Sequence, residues 1–213
     1  MPGVTISAGY GAGGSIIAPE VAKRLGLPLL DRAISSRVAA QLHVSVQEAE
    51  GGAVRRPLVD RFLGVLAPLA GGALGAGTDA APPHAAVPPP DDADFFREQA
   101  EAIMHEALRT GAVILGRGGG AACRDRPDVL RVRLFGPKAA RIAQAARIEN
   151  VDPPAARRLL PEVDRARAQY VRRLYCADID DPGFYHLQID STALPLGTCA
   201  SLITAAYEAR VGL

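Results

Sequence analysis

The chain has 213 residues, 48% of them apolar, and a formal net charge of +1, which suits one domain with a real core and excludes bulk affinity for nucleic acid. No apolar run approaches the roughly 18–20 residues of a membrane span, and the opening MPGVTIS lacks the basic and apolar regions of a signal peptide, so a cytoplasmic protein without a membrane partner is expected. Cys123, Cys176 and Cys199 are odd in number and form no Cys-x-x-Cys pair, as in a reducing compartment without disulfides or a zinc site.

Residues 4–7 read as a buried strand, and 15–25 as a helix with Ile16, Ile17, Val21 and Leu25 near the 3.6-residue period. Gly26 closes that helix, and 27–30 form a second short strand ending at Asp31. Residues 32–50 look helical, with Ser45 and Glu48 as a capping box, and 57–69 carry Leu58, Phe62, Leu66 and Leu69 on one stripe. The segment GGALGAGTDAAPPHAAVPPPDD, 71–92, has no residues with which to pack a core and reads as a mobile linker within the domain. A helix at 93–110, a strand at 112–115 and a second glycine cluster, GRGGG at 116–120, follow. Then come a strand at 129–135, helices at 137–147 and 154–175, a strand at 187–190 and a closing helix at 196–211. Strands alternating with helices predict the α/β class, a parallel sheet with helices on both faces.

The stretch AGYGAGGS, 8–15, lies between the first strand and the first helix, where exposed N–H groups and a helix N-terminus hold anions. It fits two templates. Gly9, Gly11 and Gly14 spell the G-x-G-x-x-G of dinucleotide sites, and Asp31 stands where an acid would grip a ribose. Read from Ala8, the stretch nearly spells the phosphate loop G-x-x-x-x-G-K-[ST], with Gly14 in the lysine's place. Lys23 cannot replace that lysine, because it starts about 13 Å further along the helix axis. The oxidoreductase reading has no further support: Leu134, not a tyrosine, precedes Lys138 by four residues, and no histidine has a catalytic setting.

Other segments favour the phosphate loop. LGLPLLDRAI (25–34), AVILGRGGG (112–120), RDRPDVLRVRLFGP (124–137), DRARAQY (164–170) and FYHLQIDSTAL (184–194) occur in the order of similar elements in the cytidylate kinase-like family of nucleoside monophosphate kinases, which the chain resembles over nearly its whole length. The resemblance implies a single P-loop-type domain with a helical insert and a lid, moving the γ-phosphoryl of ATP, with Mg²⁺, onto a nucleoside monophosphate, CMP or dCMP.

Carried onto this sequence, it gives the ATP phosphates to Gly9, Gly11, Ala12, Gly13, Gly14 and Ser15, and Mg²⁺ to the Ser15 hydroxyl. Asp31, Arg32 and Arg117 would meet the acceptor nucleotide. Arg117 follows a buried strand, where a cation at the carboxyl edge of a parallel sheet reaches the ligand crevice. Asp164 and Arg167 fit the family's D-x-x-R and, with Arg117, would serve catalysis. Arg141, Arg147, Arg158 and Arg165 are lid candidates, and Arg158, Arg165 and Arg172 recur every seven residues on one helix face. Gly14, Gly118 (an acid in cytidylate kinase itself) and His186 (an aspartate in the family) depart from the pattern. Those departures keep open a nucleotide-binding protein that has lost catalysis, and an NAD(P)-binding oxidoreductase remains a third alternative.

Overall fold

A computed structural model describes residues 3–31, 92–149 and 151–211. The helices expected at 32–50 and 57–69, nearly all of the linker expected at 71–92, and Arg32 lie outside the described residues. The chain runs β1 (Gly3–Ala8), α1 (Gly14–Leu25), β2 (Leu29–Leu30), α2 (Asp92–Thr110), β3 (Val113–Leu115), α3 (Gly119–Ala122), β4 (Val129–Phe135), α4 (Lys138–Ile148), α5 (Pro153–Tyr175), a 3₁₀ turn (Pro182–Phe184), β5 (Leu187–Asp190) and α6 (Leu196–Val211). The short helix α3 was not visible in GRGGG, because three glycines carry no helical signal.

The strands pair in the order β2-β3-β1-β4-β5, every pair parallel. Alternation along β1 and β4 sends Val4, Ile6, Leu130, Val132 and Leu134 to one face, where they pack with Ile17 and Val21 of α1 and Ile203 of α6. Ile114 and Val129 face the other way, onto Met104 and Leu108 of α2 and Cys123 beyond α3. The result is a three-layer α/β sandwich. Ile6, Ile17, Leu134 and Ile203 are fully buried, each stabilising the fold by about 1.5–3 kcal/mol. No described helix is long and apolar enough to cross a membrane.

Because all strands run parallel, their carboxyl ends share one edge, and the loops after β1 and β3 meet there. The same order overturns the dinucleotide reading. That fingerprint needs its acid on the strand beside the first, but here β3 separates β1 from β2, placing the end of β2 about 9–10 Å away across the sheet.

Candidate active site

The glycine loop between β1 and α1 is held from behind by four side chains. The buried Arg141 guanidinium donates from Nε to Gly136 O (3.0 Å) and from Nη1 to Tyr10 O (3.0 Å) and Asp164 Oδ2 (2.8 Å). Asp164 Oδ1 in turn accepts the Tyr10 N–H at 2.8 Å. Gln144 Nε2 donates to Gly11 O (3.0 Å), and Ser191 Oγ to Ala12 O (2.7 Å). Three consecutive carbonyls are therefore occupied by the scaffold. At the start of α1, the N–H groups of Gly14 and Ser15 have no partner within the helix. A loop whose carbonyls are tied back and whose helix N-terminus is open is a site for an anion.

In front of the loop lies a cleft of about 490 Å³ at the carboxyl edge of the sheet. Asp31 borders it from the end of β2, the turn at Gly116–Gly118 from β3, and Arg167 and Tyr170 from α5. Arg117 sits in that turn at φ +59, between Gly116 at +78 and Gly118 at +67, and the Gly119 N–H closes the turn onto Gly116 O at 3.0 Å. A non-glycine residue there costs about 1–2 kcal/mol, strain of the kind that collects at functional sites.

Arg167 Nη1 donates to Ala8 O at 2.9 Å. Solvent reaches Arg167 through the open cleft while protein surrounds it on most sides, so desolvation lowers its pKa. Asp164 and Glu149 oppose that shift, and the charges of Arg133 and Arg117 add to it. Arg133 stands behind the cleft, bound to Ser7 Oγ (3.0 Å) and Asp180 Oδ1 (2.5 Å). Two guanidinium groups, Arg117 and Arg167, thus border one concavity, a field that draws in anions. Tyr10, in the loop, is buried against Ala145, Ala156 and Leu160 of α4 and α5. Burial, and the hydrogen bond and charge of the nearby Glu149 carboxylate, push its phenol up to about 12.

Of the residues singled out from the sequence, Gly9, Gly11, Gly13, Gly14, Ser15, Asp31, Arg117 and Arg167 all line the cleft. Ala12 does not: it is buried, with its carbonyl on Ser191. Arg141 and Asp164 do not line it either, and form instead the pair behind the loop. Arg147, Arg158, Arg165 and Arg172 are exposed and lie outside the lining. On α5 the inward positions are Ala156, Leu160, Val171 and Leu174, so the heptad arginines fall on the solvent side. The sequence reading missed Gln144, Ser191 and Tyr170. Tyr170 had a signal, since it stands three residues after Arg167 and shares its helix face.

Two departures from the family pattern have structural reasons. A Cβ at position 118 would meet Tyr175 Cε2 at 2.5 Å, on a backbone with φ +67, so an acid there would have to displace the Tyr175 ring on a strained backbone. His186 Nδ1 accepts the Arg131 backbone N–H at 3.1 Å while the His186 backbone N–H donates to Arg131 O at 2.8 Å, continuing the β4–β5 ladder.

The model of the cytidylate kinase-like family matches residues 3–193. No curated protein sequence matches the chain. Among solved structures, an uncharacterized protein from Eubacterium ventriosum ATCC 27560 is similar at 16% identity and a TM-score of 0.61, over 98% of this chain and 99% of that one. A gluconokinase from Sinorhizobium meliloti 1021 is similar at 14% identity and a TM-score of 0.50, over 98% and 92%. These likenesses carry the fold, and the family match covers the glycine loop, the Arg117 turn and α5. The chain belongs to the cytidylate kinase-like family.

Proposed function

We propose that the chain transfers the γ-phosphoryl of ATP to a nucleoside monophosphate, with CMP or dCMP as first-choice acceptor. The observation that carries this reading is the convergence of Arg117 and Arg167 on a cleft floored by a glycine loop. Phosphoryl transfer asks mainly for positioning and charge neutralisation, and these are what such a cleft supplies. In this reading the loop N–H groups orient the donor phosphates, Arg167 bears on them from α5, and Arg117 bears on the acceptor phosphate from the strained turn. Asp31, which borders the cleft, would accept a hydrogen bond from the acceptor nucleoside.

The donor set also suits Mg²⁺, which keeps most of its waters and takes one or two protein oxygens plus phosphate. The Ser15 hydroxyl, exposed in the first turn of α1 and lining the cleft, is the oxygen that would hold it. Bound there, the ion would neutralise charge on the transferring phosphates.

Transfer from ATP–Mg²⁺ to CMP, dCMP, UMP, AMP or GMP tests the proposal, and absence of transfer to all five overturns it. The second reading, a nucleotide binder without catalysis, is favoured by Gly14 in the lysine's place. It predicts thermal protection by ATP–Mg²⁺ with no product.

A further inference from the structure

The turn that carries Arg117 is shaped by contacts from outside it. Three glycines follow the arginine, and each faces another part of the fold at close range. A Cβ at 118 would meet the Tyr175 ring at 2.5 Å, one at 119 would meet Thr5 Cβ at 3.2 Å, and one at 120 the Tyr185 ring at 2.9 Å. Two of the glycines therefore seat aromatic rings, and the third lets the turn lie on β1.

The back of this unit is tethered by hydrogen bonds. Tyr185 Oη donates to Ile179 O at 2.7 Å, and Arg131 holds the chain beyond α3, donating from Nη1 to Cys123 O (3.2 Å) and Arg124 O (3.0 Å) and from Nε to Phe184 O (2.8 Å). Tyr175, the last residue of α5, differs: its hydroxyl is buried without a hydrogen-bond partner among the described residues. The ring acts by shape, in a cluster with Val171, Ile179 and Ala121 of α3. A non-glycine residue such as Arg117 at φ +59 persists only where its surroundings over-determine it, and the Tyr175 ring is what bears on the next residue of the turn.

We propose that Tyr175 is a positioning residue for Arg117, its ring holding the Gly118 backbone so that the guanidinium stays aimed into the cleft. Arg167, Val171 and Tyr175 follow at four-residue steps along one side of α5. The helix that brings Arg167 to the cleft thus also sets the turn that brings Arg117, and one rigid element fixes both cations relative to each other. The consequence for ligand binding rests on the reading of the cleft as a nucleotide site.

Two measurements on the full chain test it, with melting temperature recorded for every variant. The first needs no ligand: exchange of the Gly119 amide hydrogen, which closes the turn onto Gly116 O at 3.0 Å. Tyr175→Leu is expected to speed that exchange about tenfold or more relative to the amides of β4, and Tyr175→Phe to leave it unchanged, since the hydroxyl holds nothing. The second is CMP affinity by calorimetry. Tyr175→Leu and Gly118→Ala disturb one contact from its two sides. Each is expected to weaken CMP about tenfold, as Arg117→Ala does, and to leave cytidine and ATP–Mg²⁺ binding unchanged. Because Tyr175 acts through Arg117, the Tyr175→Leu/Arg117→Ala double variant is expected to bind CMP no more weakly than Arg117→Ala alone. Unchanged Gly119 exchange in Tyr175→Leu, no rescue by Tyr175→Phe, or losses that multiply in the double variant would each overturn the proposal. Faster Gly119 exchange in Tyr175→Leu, when the wild type binds no nucleoside monophosphate, would sink the kinase reading and leave the positioning role standing.

Discussion

Arg141 and Asp164 meet at 2.8 Å behind the glycine loop and between them hold both backbone polar groups of Tyr10. The two come from different helices, α4 and α5, so one ion pair fixes the loop to both. Removing either partner strands the other. A fully buried pair broken this way costs about 3–5 kcal/mol, but Asp164 keeps about a third of its side-chain exposure, which discounts the figure.

Arg141→Met is therefore expected to lower unfolding stability by about 2–3 kcal/mol and Asp164→Asn by about 1–2 kcal/mol. Urea unfolding followed by circular dichroism measures both. A loss below about 0.5 kcal/mol in Arg141→Met would mean that the loop holds its shape without the pair.

A side chain at position 118 would press on the Tyr175 ring. Gly118→Ala adds a methyl against the Tyr175 ring on a left-handed backbone, and is expected to cost about 1–3 kcal/mol. That corresponds to a melting temperature lower by about 3–10 °C for a chain of this size. Gly118→Asp, which installs the acid of cytidylate kinase itself, is expected to destabilise at least as much and to give no gain in transfer. Full stability in either variant would show that Tyr175 yields easily.

His186 makes stability depend on pH. Desolvation, with the charges of Arg131 and Arg210, lowers its pKa below the usual histidine value, and its Nδ1 must be unprotonated to accept the Arg131 N–H. Since the unfolded chain takes up the proton more readily, this contribution is fully present above about pH 6.5 and is lost as pH falls through the folded pKa. His186→Asn keeps an acceptor and removes the titration. Denaturation between pH 7.5 and 5 is expected to show a shallower acid-side loss in the variant, and identical profiles would contradict the assignment.

The layer order was legible because hydrophobic period, glycine punctuation and strand–helix alternation agree along most of the chain. The loop after β1 and the turn after β3 announced themselves through glycine, which marks places where backbone comes close to something. The partnership of Arg141 with Asp164 was not legible. Both look like surface charges on amphipathic helices, and only the packing of α4 on α5 turns them inward together. The heptad of Arg158, Arg165 and Arg172 shows the same limit of sequence spacing. Seven-residue spacing shows that charges share a face but not which face, and the apolar positions of α5 turn the other one inward.

The most direct measurement is γ-phosphoryl transfer from labelled ATP–Mg²⁺ to CMP and dCMP by wild type and by Arg117→Ala. The account predicts labelled diphosphate from the wild type and a rate lower by about 10²–10³ in the variant, the usual cost of removing one preorganised donor. Folded wild-type protein that ATP–Mg²⁺ protects from melting, but that labels no monophosphate, would contradict it.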